Sequence, residues 1–185
     1  MLRATLSYCY TGYLRRRFAG WGKGSVIMYK AKDLVGLRCV HVGNATEIDQ
    51  DVRLTAWEHH GGHEYAPRIV IGDHCHLGAG AHVTSVRGIT IGNNLLTGTN
   101  VLITDNAHGA SERRWLDVHP ESRPLYSKGE VAIGDNVWLG NNVCILPGTV
   151  IGNGVIVGAN SVVTGVVPDY VVVAGSPARI VKHLN

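Results

Sequence analysis

The sequence predicts an all-β fold, a parallel β-helix of hexapeptide repeats with one long extruded loop, on three observations. Aliphatic residues return every six positions, glycine follows most of them, and the departures from the period all fall at one point of the repeat. The first position of successive hexads reads Val42, Ile48, Leu54, then Ile71, Leu77, Val83, then Ile91, Thr97, Ile103, and later Ile133, Leu139, Ile145, Ile151, Val157, Val163. Fourteen of these fifteen are Val, Ile or Leu, and nine precede glycine, a self-similarity that marks stacked coils sharing one core. The fifth position is expected to face inward as well, at Thr46, Val52, Cys75, Ala81, Val101, Ala107, Val137, Val143, Thr149, Val155, Ser161 and Val167. Glycine at the second position is read as a corner residue that permits backbone angles a Cβ obstructs.

Residues 1–41 precede the repeat and are expected to form a capping segment. The first 24 mix Tyr8, Tyr10, Tyr13, Phe18 and Trp21 with Arg15, Arg16 and Arg17. A solenoid end needs a cover, so a short helix over the open first coil is expected, with contact to a membrane surface as the alternative use of such a segment. Residues 25–41 read as irregular extended chain.

Residues 42–168 form the β-helix, and counting in threes locates its insertions. Three hexads make an 18-residue triangular coil. The interval from Val42 to Ile71 exceeds 18 by eleven, that from Ile71 to Ile91 by two, and that from Ile91 to Ile133 by 24, whereas Ile133 to Ile151 is 18. All three excesses fit the same corner, at the end of the third hexad, so the extra segments stack along one edge and wall a cleft on a rigid scaffold. The first carries His60, His63 and Glu64. The last, a loop over 109–130, carries Arg113, Arg114, Asp117, His119, Arg123, Tyr126 and Lys128. Residues 169–185 complete the chain: Tyr170 to Ala174 is a β-branched run, Gly175-Ser176-Pro177 a turn, and Ala178 to Leu184 is expected to form a short C-terminal helix with Pro177 at its first turn.

Composition narrows the function classes. The net charge of +3 is too small to argue for nucleic acid and suits an anionic small ligand. Cys9, Cys39, Cys75 and Cys144 have no close pairing in sequence, which fits free thiols in a reducing cytosol better than a disulfide or zinc framework. No signal peptide is read at the N-terminus and no apolar stretch approaches the roughly 20 residues of a membrane span, so a soluble cytoplasmic protein is expected.

His108 carries the chemical argument. It stands at the sixth position of its hexad, directly before the longest insertion, where a side chain points outward toward the cleft. An imidazole that titrates near neutrality suits general-base removal of a proton from an alcohol.

Several motifs then resemble a known family. Ile133-Gly134-Asp135-Asn136-Val137-Trp138-Leu139-Gly140, Ile145-Leu146-Pro147-Gly148, Val157-Gly158-Ala159-Asn160-Ser161-Val162-Val163-Thr164 and Ala174-Gly175-Ser176-Pro177-Ala178-Arg179 are similar to the hexapeptide-repeat acyltransferases. Within that family they most resemble the galactoside and maltose acetyltransferases and the O-acetyltransferases of bacterial surface polysaccharides. Thr104-Asp105-Asn106-Ala107-His108-Gly109 and Arg123-Pro124-Leu125-Tyr126-Ser127-Lys128-Gly129 point to the latter. The resemblance implies a left-handed coil, against the usual crossover rule. It also implies a homotrimer with active sites between subunits, acetyl-CoA as acyl donor and a sugar or glycan hydroxyl as acceptor. No metal and no nucleic acid are expected.

On the matching positions, His108 is the general base and the Asn141 backbone amide stabilises the oxyanion. Trp138, Gly140, Ala159, Thr164, Arg179 and Lys182 hold the coenzyme, and His82, Asp105 and Tyr126 face the acceptor. Arg179 and Lys182 suit its phosphates. The chain departs from the family at Gly165, where many members carry a lysine, and at Asn106, where some carry a second histidine. No clear counterpart of the galactoside enzymes' sugar-binding carboxylate lies between Thr84 and Arg87. Two other classes stay open: an N-acetyltransferase for an amino-sugar nucleotide, and a zinc-dependent or scaffold trimer. His76, His82 and His108 are read at three different corners, too far apart to bind one metal within a chain. His59, His60 and His63 are weak acceptor-site candidates.

Overall fold

A computed structural model describes residues 2–185, with side chains from Thr5 onward. The chain winds as a left-handed parallel β-helix with three flat faces. The first face stacks Gly20–Trp21, Val40–Val42, Ile69–Ile71, Ile89–Ile91, Val131–Ile133, Val150–Ile151 and Val166–Val167. On the second are Val26–Ile27, Glu47–Ile48, His76–Leu77, Leu96–Thr97, Trp138–Leu139, Ile156–Val157 and Val171–Gly175. The third holds Leu34–Val35, Arg53–Ala56, His82–Ser85, Leu102–Thr104, Cys144–Ile145 and Val162–Val163. Register is kept coil to coil: Leu54, Val83, Ile103, Ile145 and Val163 align as one inward column. Burying each such side chain contributes roughly 1.5–3 kcal/mol, and the columns merge into a single continuous core. Thr97, the one polar first position, is buried because its hydroxyl accepts the Gly78 N–H at 2.8 Å.

Four expectations need correction. The coil begins at Gly20 rather than Val42, since residues 20–35 already supply one strand to each face; their looser sequence hid a regular backbone path. The glycines that follow the aliphatic residues are not at positive φ. That conformation belongs to the fourth hexad position, for example Asn94, Asn100, Asn136, Asn142 and Asn160 with φ of 56–58°. The second-position glycines serve close approach between coils instead: a Cβ on Gly140 would lie 2.7 Å from the Ala159 amide nitrogen. Ala107 does not point inward; it is exposed, because the chain leaves the coil there for the long loop.

The fourth correction concerns the C-terminus. Ala178–His183 is a β-strand, antiparallel to Val171–Gly175, and not a helix. A seven-residue helix is marginal alone, whereas the open edge of the second face offers a ladder of backbone groups. The N-terminal segment is helical. Helix α1, Leu2–Leu14, lies across the first coil, where the Thr11 hydroxyl accepts the Ile27 N–H at 3.0 Å and Leu14 and Phe18 enter the core.

Every insertion occurs between the third face and the first. A short 3-10 turn, Leu37–Cys39, follows the first coil; a hairpin of His59–His60 and His63–Glu64 follows the second; residues 86–88 turn after the third; and the long loop follows the fourth. The edge read from the count of 18 is the edge on which the structure builds its loops.

Candidate active site

The long loop is tied down twice at its base. Ala107–His108 pairs antiparallel with Leu125–Tyr126, which sets His108 opposite Leu125. The Leu125 N–H donates to the Tyr65 hydroxyl at 2.8 Å, so the loop after the fourth coil is fastened to the hairpin after the second. Two insertions of different origin thereby enclose one cavity of about 790 Å³ over the third face. Its floor is His82, Thr84, Leu102 and Thr104; its walls are Trp57, His60, Asn106, His108, His119, Pro120, Glu121 and Leu125.

Four histidines therefore share this cavity. The His60 and His108 rings meet edge to face with centroids 5.4 Å apart, and Trp57 packs on the far side of His60 at 6.2 Å. The His60 Nε2 is buried without a hydrogen-bond partner, an atom that a ligand in the cavity would satisfy. His82 and His108, read at different corners, both border this cavity because the loop folds back over the third face. Among the described residues no group of three or more ligand-type side chains has metal-binding geometry.

His108 also lines a second cavity, of about 700 Å³, with Glu112, Arg113, Leu116 and Arg123. Its exposed imidazole stands on the ridge between the two spaces.

Burial, with a further contribution from the Arg53 charge and opposition from Asp33, lowers the His82 pKa from its ordinary 6.5. Its Nε2 lies 3.1 Å from the Thr55 hydroxyl. Since the folded chain binds this proton less readily than the unfolded chain, stability is full above the unfolded value of 6.5 and declines as pH falls through it toward the folded value. Thermal melts from pH 7.5 down to 5 are expected to show a decline in Tm that His82→Gln makes shallower.

Asp105 is not in the cavity, which corrects its expected acceptor role. It is fully buried and its two oxygens accept from the Ser85 hydroxyl at 2.7 Å and the amides of Val86, Arg87 and Gly88 at 2.9, 2.9 and 2.7 Å. The carboxylate thus holds the widened turn after the third coil, next to the base of the long loop. Asp105→Ala leaves these donors unpaired and is expected to cost about 3 kcal/mol or more, read from urea unfolding. Tyr126, paired with Ala107, is exposed and does not line the cavity.

The remaining predicted residues lie along a different edge. Trp138 is half exposed on the second face, in one outward column with Leu96, Ile156 and Val172, and Lys182 continues that column on the terminal strand. Arg179 is exposed on the same strand. Gly140, Asn141 and Ala159 form the corner that leads from the second face to the third. Thr164 stands apart, exposed on the loop-bearing edge.

At that corner a side-chain ladder is broken. Along the first corner each coil's amide donates to the Asn or Asp side chain of the next: Asn44 to Asp73, Asp73 to Asn93, Asn93 to Asp135, Asp135 to Asn153 and Asn153 to Asp169. On the second corner the Thr99 amide donates to the Asn141 side chain at 2.9 Å, but the next coil offers Ala159, which has no acceptor. The Asn141 amide has no intramolecular acceptor among the described residues.

Comparisons with known proteins agree with this geometry. Residues 130–165 match the family described as bacterial transferase hexapeptide (six repeats), and residues 68–105 match the hexapeptide repeat of succinyl-transferase. The chain is 44% identical over 121 residues to the putative lipopolysaccharide biosynthesis O-acetyl transferase WbbJ of Escherichia coli, covering 63% of this chain and 61% of that protein. It is 35% identical over 124 residues to the galactoside O-acetyltransferase of the same organism, covering 65% and 57%. The chain thus spans about three fifths of the length of these relatives. Among solved structures, the N-acyltransferase AntD of Bacillus cereus with dTDP and 3-hydroxybutyryl-CoA shares the fold, with a TM-score of 0.78, 21% identity, and 97% of this chain and 90% of that one covered. A hexapeptide-repeat acetyltransferase of Vibrio cholerae complexed with acetyl coenzyme A superposes with a TM-score of 0.63 at 23% identity, covering 99% and 81%.

Proposed function

Because this chain belongs to the hexapeptide-repeat transferase family, we propose that it is an acetyl-CoA-dependent O-acetyltransferase acting on a sugar hydroxyl of a bacterial surface polysaccharide or its precursor. The observation that carries the reading is the position of His108 on the ridge between two cavities. A base there can reach an acceptor on one side and a thioester on the other.

The steps follow from the residues. His108 takes the proton of the acceptor hydroxyl as its oxygen attacks the thioester carbonyl. Negative charge gathers on the former carbonyl oxygen and is stabilised by the Asn141 amide of a neighbouring copy, a reading supported by that amide's lack of an acceptor within the chain among the described residues. Collapse of the tetrahedral adduct breaks the carbon–sulfur bond, and the protonated His108 returns the proton to the departing thiolate. The acceptor leaves as an acetyl ester and the donor as free coenzyme A.

Within one chain His108 and Asn141 stand on different edges of the prism. They meet if the loop-bearing edge of one copy faces the second corner of a neighbour, so a closed ring of copies, a trimer by family resemblance, completes the site. Trp138, Gly140 and Ala159 then contact the coenzyme, Thr164 approaches it from the opposite edge, and Arg179 and Lys182 meet its phosphates. In the acceptor cavity His60 and His82 are offered as hydrogen-bonding side chains for the acceptor, and the buried Nε2 of His60, whose ring lies 5.4 Å from that of His108, is the vacant one. This is the role His60 takes in the proposal, supplied by the first insertion.

The test is thiol release from acetyl-CoA in the presence of sugars, nucleotide sugars and glycan fragments, with analysis of the acetylated product. An acetyl group removed by mild base supports the reading. An acetyl group that resists base identifies an N-acetyltransferase, and no thiol release with any acceptor defeats both.

A further inference from the structure

The modest net charge conceals a polarised chain. Residues 1–32 hold seven of the 17 Lys and Arg residues and no carboxylate, which leaves ten basic against fourteen acidic side chains in the remaining 153 residues. This basic segment is folded onto one end of the prism, around α1 and the first coil.

Helix α1 exposes large apolar side chains on both flanks of its buried row. Thr11 and Leu14 face the coil and are buried. A surface helix ordinarily turns charged or polar residues to solvent on its opposite side. Here Leu6, 43% exposed, and Tyr13, 73% exposed, flank the buried row on one side and Tyr8, 70% exposed, flanks it on the other, and no charged side chain stands between them from Thr5 to Leu14. The chain then passes into Arg15–Arg17, a 3-10 turn with all three side chains exposed. Tyr8, Arg15, Arg16, Phe18, Trp21 and Lys23 line a groove of about 660 Å³ between helix and coil. Nearby, Tyr29 is half exposed with the Lys30 ammonium 5.5 Å from its ring centroid. Among the described residues, Arg15, Arg16, Arg17 and Lys23 take part in no ion pair.

Tyrosine and tryptophan at the level of arginine and lysine are the residue types that settle at a lipid–water boundary. Lys32 pairs with Asp51 at 3.7 Å, and the four cations outside any ion pair, Arg15, Arg16, Arg17 and Lys23, select a negative surface, at about 1 kcal/mol for each basic group near it. We propose that α1, the arginine turn and the adjoining groove form a docking face for an anionic phospholipid bilayer, with Tyr8 and Tyr13 entering the headgroup layer and Arg15–Arg17 pairing with its phosphates. The face requires no spanning segment; no helix among the described residues is long and apolar enough to cross a membrane.

Sedimentation of the full chain with vesicles tests this. Vesicles of phosphatidylcholine with about 30 mol % phosphatidylglycerol are expected to carry the protein down, pure phosphatidylcholine vesicles are not, and added salt is expected to release it. The variant Arg15→Glu, Arg16→Glu, Arg17→Glu is expected to lower partitioning about tenfold or more, and Tyr8→Ser with Tyr13→Ser to weaken it separately. All five side chains are exposed, so an unchanged melting temperature shows that each variant is folded. The proposal fails if neutral and anionic vesicles bind equally, if neither binds, or if the folded arginine variant partitions like the wild type. It fails equally if the arginine variant changes the number of subunits in solution, which would make the face a contact between copies.

Discussion

Replacing His108 by alanine is expected to lower acetyl transfer by about 10²–10⁴-fold, the range that general-base assistance supplies. Its imidazole is exposed and lies outside the hydrophobic core, so the variant should melt with the wild type. The coenzyme residues on the second face and terminal strand are remote from it in sequence and edge, so coenzyme affinity should hold. Steady-state kinetics against binding of coenzyme A separates these quantities. Near-wild-type turnover by a folded His108→Ala protein would remove the base from the mechanism.

The second large effect is expected from Ala159→Asn, a change that adds an interaction. Asparagine at this corner would place its side-chain carbonyl where Asn141 itself accepts the Thr99 amide one coil earlier, and would extend the broken ladder by one rung. The Asn141 amide would then be occupied. Loss of one oxyanion donor costs about 10²–10³ in kcat, so turnover should fall by that factor while Tm stays level or rises. Ala159→Ser and Ala159→Val serve as controls of size: valine has no acceptor, and its activity should exceed that of the asparagine variant. Equal activity of wild type and Ala159→Asn would mean that the Asn141 amide does not stabilise the transition state.

These two residues show how far the sequence could be read. The hexad period and the count of 18 led to the coils, to the loop-bearing edge and to the place of His108 on it, because a β-helix converts sequence distance directly into position along an axis. The same rule failed wherever a segment left the axis. His119 carried no signal beyond its number, yet the loop returns it to the cavity; His60 was a weak candidate until the Tyr65–Leu125 bond brought the two insertions together. Asp105 was misread for the opposite reason. A carboxylate beside a candidate base looks like part of a site, and only the five donors that converge on it, the Asn106 side-chain amide among them, show a structural part. Ala178–His183 was read as an isolated helix although its conformation is set by an edge strand, a partner that local propensity does not reveal. The Asn141 amide was named from resemblance alone, and its lack of an acceptor became visible only when the ladder on the other corner showed what Ala159 lacks.

The claim that the site is divided between copies has a direct test in mixing. Co-refolded His108→Ala and Ala159→Asn proteins, each nearly inactive alone, form rings in which a given interface pairs an intact His108 edge with an intact Asn141 corner. For random association in a closed ring this occurs at about one interface in four. Recovery of about a quarter of wild-type activity in the mixture is the expected result. Activity no higher than that of the separate variants would contradict a site shared between neighbouring copies.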